Sequence, residues 1–202
     1  MFNVTGYFNN KGDEYTLTTP KTRASYRTCL MNNKGYLFEP NQFGMGTTVC
    51  RFKFTRQNTI VSGDERTIYF RDDETNDVWC VGGFPYVSEI DEFKCTHKQS
   101  CTEISSVHNG IKVTVRLFVP VNKYCDVQSV RIENISGRSR SISVFPAIKL
   151  QLDGFTAPRW ADNFDQTYIT YFSEDINGLY MDGRNPYTEG APYNAYSPLQ
   201  LQ

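Results

Sequence analysis

The sequence predicts an all-β fold of antiparallel strands, on three observations. From Ile111 to Val119 the residues alternate without a break: Ile111, Val113, Val115, Leu117 and Val119 fall on one face, and Lys112, Thr114 and Arg116 on the other. Side chains alternate across a strand, so this is one buried face and one wetter face. Asn109-Gly110 stands just before it, the preferred pair for a type I′ turn, whose two central residues both need φ > 0. Short runs of this kind recur along the chain between Gly, Pro, Asn and Asp, and no amphipathic helix exceeds about three turns. Many short strands with turns between them indicate a sandwich or a barrel.

The elements follow in order. Tyr7-Phe8 and Tyr15-Thr16-Leu17 flank the turn-rich Asn9–Asp13 and form an opening hairpin. Pro20–Asn33 is a polar connection. Gly35–Glu39 is a strand ended by Pro40, and Gly44-Met45-Gly46 is a flexible joint. Val49–Phe54 alternates Cys50, Phe52 and Phe54 against Arg51 and Lys53. Thr67–Arg71 and Val78–Val81 bracket the acidic turn Asp72–Asp77. Cys101–His108 pairs antiparallel with Ile111–Val119 across the Asn-Gly turn, and Val127–Asn134 follows. Ile142, Val144, Ile148 and Leu150 share a face, but Pro146 cannot donate a ladder hydrogen bond, so that strand is an edge strand or bulged. Gln151–Gln166 is a polar, aromatic loop. Tyr168–Phe172 and Leu179–Met181 are two further strands. Residues 1–182 therefore form the sandwich domain, and 183–202, rich in Asn, Pro, Gly and Tyr, an irregular tail.

Composition narrows the function. The 202 residues are 39% hydrophobic and 14% aromatic, enough for a packed core. A formal net charge of −1 argues against a nucleic-acid surface, which usually shows a clustered basic excess. No apolar run approaches the roughly 20 residues of a membrane span. Met1–Asn10 does not read as a secretion signal, so the six cysteines are expected to stay reduced and the protein to be cytoplasmic.

Catalytic and metal signatures are weak. Cys95-Thr96-His97 with Cys101 is the one cluster of metal-ligand type, but zinc usually takes four ligands in paired spacings. Ordinary strand residues are the better reading, and no metal site is expected. His108 reads as a solvated histidine at a hairpin corner, and Cys125 as an inert thiol. The run Asp72–Asp77 lacks the spaced ligands of a calcium loop and reads as a solvated hairpin turn. There is no P-loop, dinucleotide fingerprint or nucleophile elbow. With two histidines and no nucleophile–base pattern, no catalytic residue is expected in this chain.

The loop Phe155–Phe164 is different. It gathers Arg159, Trp160, Asp162, Asn163 and Phe164 on an irregular connection, with Gln166 just beyond. A pyranose offers an apolar face for an indole to cover and hydroxyls for planar polar groups, so Arg159, Trp160, Asn163, Phe164 and Gln166 are the candidate sugar-binding residues. A surface loop whose Trp and Phe pack down on the domain has the same composition.

Several motifs together resemble a known family. Glu89–His97, the hairpin Asn109-Gly110-Ile111 leading to Phe118-Val119-Pro120, and Val127-Gln128 through Asn134 with its Ser-rich return are similar to the N-terminal β-sandwich of the cellobiose/chitobiose phosphorylases, glycoside hydrolase family 94. Gly6-Tyr7-Phe8 with Glu14-Tyr15, Thr18-Thr19-Pro20 and Asp77-Val78-Trp79 also match, so the likeness runs from about Gly6 to Phe164 in the family's order.

That resemblance implies an antiparallel β-supersandwich (galactose mutarotase-like), here incomplete at its C-terminus. It implies a parent enzyme with a separate (α/α)6 barrel holding the catalytic aspartate and the phosphate site. The reaction implied is inverting phosphorolysis of a β-glucoside, in which an acid protonates the leaving oxygen while inorganic phosphate attacks from the opposite face. No cofactor is implied beyond phosphate as co-substrate, and no metal. The implied partners are an oligosaccharide, a second copy of the enzyme and the barrel. The sequence ends at Gln202 without a barrel, so this chain alone is expected not to catalyse; a stand-alone carbohydrate-binding or purely structural sandwich is the alternative. Family members often carry Asn-Phe-Gln-Arg in the substrate-facing loop. Here the positions read Asn163-Phe164-Asp165-Gln166, and Arg159 or Gln166 is expected to make the missing contact.

Overall fold

The structure is a computed structural model that describes residues 5–52, 56–61, 63, 66–86, 88–149, 153–154, 167–175, 177–184 and 193–198. Among these, every regular element is a strand and every strand pairing is antiparallel.

A six-stranded sheet carries most of the core. Its strands are β1 (Gly6–Phe8), β2 (Glu14–Leu17), β9 (Glu92–Lys98), β10 (Thr102–His108), β11 (Ile111–Phe118) and β12 (Val127–Asn134), in that spatial order. The expected hairpin is present: β10 pairs with β11 from His108 opposite Ile111 to Thr102 opposite Leu117. Asn109 (φ 47°) and Gly110 (φ 77°) make the turn, both in the left-handed region as a type I′ turn requires. Ile111, Val113, Val115 and Leu117 are buried, while Lys112, Thr114 and Arg116 keep contact with solvent.

Two further sheets complete the core. One orders β3 (Leu30–Met31), β4 (Tyr36–Pro40), β5 (Gly46–Phe52), β6 (Arg56–Val61) and β14 (Asp153–Gly154) as β14-β6-β5-β4-β3. The other places β7 (Arg66–Asp72) between β13 (Ile142–Ile148) and β8 (Val78–Cys80). Leu30 and Phe38 from the first, and Ile68, Phe70 and Trp79 from the second, join Leu17, Cys95, Ile104 and the β11 residues in one apolar cluster. Burying that area is the main stabilising term of the fold. A three-stranded sheet of β15 (Thr167–Ser173), β16 (Gly178–Arg184) and β17 (Tyr193–Pro198) follows. β15 and β16 contain the two expected strands. In the stretch expected as an irregular tail, β16 runs on to Arg184 and β17 pairs with it.

Two local expectations need correction. Gly44-Met45-Gly46 is not a joint but a tight, buried turn. The Asn41 side-chain oxygen accepts from the Phe43 and Met45 amides at 2.9 and 3.1 Å, and Met45 is buried. A Cβ on Gly46 would lie 2.0 Å from the Glu39 carbonyl oxygen, so only glycine fits there. The polar connection Pro20–Asn33 contains β3, and buried Gln42 bonds the Tyr26 amide (2.9 Å) and the Thr22 hydroxyl (2.8 Å) to hold it down. β4 ends at Pro40, as expected, with the proline itself as the last strand residue. β13 is an edge strand, as Pro146 demands, and Val144 and Ile148 on its shared face are both 39% exposed. Phe54 and Leu150 lie outside the described residues.

Candidate functional site

The residues expected to bind sugar follow β14 in the chain. β14 adds to the edge of the five-stranded sheet with Asp153 opposite Thr59 and Gly154 opposite Asn58. Residues 155–166 then lead to β15 at Thr167. Arg159, Trp160, Asn163, Phe164 and Gln166 all fall within that stretch, outside the described residues. Before that stretch, β14 lies at the edge of the sheet beside β6 and β5.

The cysteine–histidine cluster lies in the core. Cys95 Sγ is 3.7 Å from His97 Nε2, and His97 Nδ1 is 3.0 Å from the Thr102 hydroxyl. Burial drives the Cys95 thiol far up from its ordinary range and pulls the His97 imidazole down to about 4. Both shifts oppose a thiolate–imidazolium pair, so the arrangement is a neutral buried contact and not an activated nucleophile. Among the described residues no group of three or more His, Cys, Asp or Glu side chains is placed to hold a metal ion. Burial and the neighbouring Asp126 carboxylate raise the Cys125 thiol, in keeping with an inert residue, although Lys123 acts in the opposite sense.

Two corner readings change. His108 is buried, not solvated: Nδ1 donates to the Glu89 carbonyl at 2.6 Å, Nε2 lies 2.7 Å from Asp77 Oδ2, and the ring packs on Trp79. The acidic turn is not simply solvated either. Asp72 is fully buried and accepts from the Glu74 and Thr75 amides at 2.9 and 3.3 Å and from the Arg140 guanidinium. Burial alone would raise its carboxyl, but those amides and Arg140 outweigh it and hold the group below the usual range. The Ser143 hydroxyl, Arg71 and Ser141 do the same for Asp73. Both corners are structural because residues distant in sequence arrive to satisfy them.

A second polar cluster had no signal in the sequence. Asp126, just before β12, reaches the five-stranded sheet and the start of β7. Its Oδ2 accepts from the Tyr36 hydroxyl on β4 at 3.0 Å and from the Thr48 hydroxyl on β5 at 2.9 Å. Its Oδ1 accepts from Arg66 Nη1 at 2.8 Å. Arg66 also donates to Thr48, lies over the Phe38 ring with its guanidinium carbon 4.4 Å from the centroid, and leaves Nε buried without a partner among the described residues. Burial, reinforced by the Asp126 charge, pushes the Tyr36 phenol far above its ordinary value. Asn32 ties the same loop down by donating to the Pro120 and Lys123 carbonyls at 2.8 and 2.6 Å.

Comparison with known proteins places this geometry in context. The family model described as "Glycosyl hydrolase 94, supersandwich domain" matches residues 13–198. The 3-O-beta-D-glucopyranosyl-beta-D-glucuronide phosphorylase of Paenibacillus borealis is 33% identical over 161 residues, which is 80% of this chain and 20% of that protein. The N,N'-diacetylchitobiose phosphorylase of Vibrio furnissii is 33% identical over 186 residues, 86% of this chain and 22% of that protein. The solabiose phosphorylase of P. borealis is 26% identical over 181 residues, 84% and 23% respectively. The chain thus spans about a fifth of the length of these curated relatives.

Proposed function

The chain belongs to the glycosyl hydrolase 94 supersandwich family, and from that premise we propose that it is the N-terminal sandwich of an inverting β-glucoside phosphorylase. The observation that carries this is the family match over residues 13–198 together with relatives that are named phosphorylases of glucosides or of chitobiose. In this reading a helical barrel elsewhere in the parent protein supplies the acid and binds phosphate. The sandwich shapes the side of the site that takes the acceptor sugar.

The root of residues 155–166 supports that role. A loop that must position a sugar needs a rigid base, and β14 gives it one through ladder hydrogen bonds to β6. Trp160 would cover the apolar face of the acceptor, and Arg159, Asn163 and Gln166 would bond its hydroxyls, with Phe164 packing beside them. Inorganic phosphate is the co-substrate, and no metal or further cofactor is needed. The exposed β13 edge with Val144, Phe145 and Ile148 suits burial against a second copy or the barrel. No helix of the described residues is long and apolar enough to cross a membrane. The six free thiols support a parent enzyme that works in the reducing cytoplasm.

The test is kinetic. Arg159→Ala and Trp160→Ala in the full-length enzyme raise KM for the acceptor in the synthetic direction and leave KM for phosphate in phosphorolysis unchanged. Unchanged acceptor kinetics in both variants would remove the loop from the site. Calorimetric titration of β-glucans onto the isolated chain addresses the stand-alone alternative, since tight binding without a barrel would favour a carbohydrate-binding module.

A further inference from the structure

We infer that His108 and Asp77 form a proton-dependent clasp at the corner of the β10–β11 hairpin, closed by an imidazolium–carboxylate pair and opened by loss of its proton. The proton inventory follows from the partners. A backbone carbonyl can only accept, so Nδ1, 2.6 Å from the Glu89 oxygen, carries a hydrogen. Nε2 lies 2.7 Å from Asp77 Oδ2. A nitrogen and an oxygen come that close only with a hydrogen between them, and a charge-assisted bond has this length. Asn109 Nδ2 also lies 3.3 Å from Nε2, but its shorter contact, 2.7 Å, goes to the same Asp77 oxygen. A neutral ring accepting from Asn109 would aim its lone pair at a carboxylate oxygen 2.7 Å away. The pair therefore holds one proton more than a neutral histidine beside an ionised aspartate.

The surrounding charges fit a cation on the ring. The β7–β8 hairpin brings Asp72 and Asp77 to the corner, and the segment before β9 brings Glu89 and Asp91, whose carboxylate takes the Asn109 amide at 2.9 Å. The segment before β13 brings Arg140, which bonds the Asn109 carbonyl but is paired with Asp72, and Arg138 is paired with Glu74. Among the described residues, the imidazolium is thus the cation that meets Asp77. The two side chains are 8% and 34% exposed, so the ring is enclosed while the carboxylate has water to turn to. Loss of the proton sets the Nε2 lone pair against Asp77 Oδ2. Asp77 then swings toward solvent, and the tie between the two hairpins opens while the Nδ1 bond to Glu89 holds. His97 offers a contrast, because burial without a carboxylate partner pulls its imidazole down to about 4 and leaves it neutral.

Nitrogen-15 NMR of the chain at pH 7 reads these protons directly, and with two histidines in the sequence the His97→Gln variant assigns both rings. The expected result is two protonated ring nitrogens for His108 and one for His97. An unprotonated nitrogen on His108 at that pH overturns the inference, and this reading needs no variant at the clasp to fold. Asp77→Asn keeps the size of the partner and removes its charge, so His108 should then show a single ring proton; two would mean that Asp77 is not what holds the second. Urea midpoints of the parent and His108→Gln between pH 6 and 9 read the opening. A proton held in the fold and released on unfolding stabilises less as pH rises above about 6.5, where an unfolded histidine loses its own. The parent's lead over His108→Gln should therefore shrink by about half or more across that range, opposite in sign to the effect of His97. A lead that stays constant would make the corner a fixed contact and sink the clasp.

Discussion

His108 Nε2 lies 2.7 Å from Asp77 Oδ2, while the imidazole packs on Trp79 with ring centres 4.9 Å apart. The contact ties the β10–β11 hairpin corner to the end of the β7–β8 hairpin. Asn109 Nδ2 donates to the same carboxylate oxygen at 2.7 Å, and its amide donates to Asp91 at 2.9 Å. His108→Ala removes both imidazole bonds and opens space beside a fully buried indole. Unfolding in urea should show a loss of about 2–3 kcal/mol. A loss below about 0.5 kcal/mol, the range of ordinary surface substitutions, would mean that the corner is solvated after all.

Arg140 and Arg138 offer a paired comparison. The Arg140–Asp72 pair has side chains 5% and 0% exposed, whereas Arg138–Glu74 is 56% and 48% exposed. Arg140→Met leaves a buried carboxylate without its guanidinium, and Arg138→Met frees two groups that water solvates readily. Thermal unfolding should show a clearly larger fall in midpoint for Arg140→Met, and equal shifts would contradict the burial.

Acid should destabilise the chain in a window set by His97. Burial holds its folded value at about 4, against about 6.5 when unfolded. Between those values the unfolded state binds the proton and the folded state does not. The stability is therefore fully present above pH 6.5 and lost as pH falls toward 4, by roughly 3 kcal/mol. His97→Gln should flatten denaturant midpoints across that window. The depressed carboxyls of Asp72 and Asp73 act at lower pH, with stability present above the ordinary carboxylate range and lost as pH falls through their folded values. An unchanged slope in His97→Gln would reassign the acid sensitivity.

Gly110 should not tolerate a side chain. Its φ is +77°, and a Cβ there would lie 2.8 Å from Ser136 Cβ and 3.0 Å from Ser136 Cα. The Gly110 carbonyl also accepts the Ile135 amide at 2.9 Å, so the two turns cannot separate freely. Gly110→Ala should cost about 1–3 kcal/mol from backbone strain alone, with the contact adding to it. Chemical denaturation measures this, and a neutral result would show that the turn can shift away from Ser136.

Thiol titration checks the core. Cys29 is exposed, whereas Cys50, Cys80, Cys95 and Cys101 are buried, and burial pushes the Cys50 thiol up to about 11. An aromatic disulfide reagent at pH 8 should label Cys29 first and reach those four only in denaturant. Rapid labelling of Cys95 in the native protein would contradict its place between β2 and β10.

Elements with strong period-two patterns were legible in the sequence. Ile111–Val119, the Asn109-Gly110 turn and the Thr67–Arg71 and Val78–Val81 hairpin appear where the alternation places them. The misreadings are of residues whose environment comes from elsewhere in the chain. His108 looks like a turn residue until Glu89 and Asp77 surround it, and Asp72 looks solvated until Arg140 arrives. Gly44-Met45-Gly46 resembles a joint because glycines permit flexibility, yet Gly46 is there to permit the close approach of β5 to the Glu39 carbonyl. The candidate sugar-binding residues, Arg159 to Gln166, fall outside the described residues.

The sequence by itself determined the strand class, the central hairpin and the family, because alternation, turn residues and short ordered motifs are local properties. Tertiary structure alone decided which polar residues are buried and what each one holds. Asp126 shows why: its partners Tyr36, Thr48 and Arg66 lie 90, 78 and 60 residues away in sequence. A carboxylate's role depends on which donors surround it, and those donors meet only when the sheets pack together.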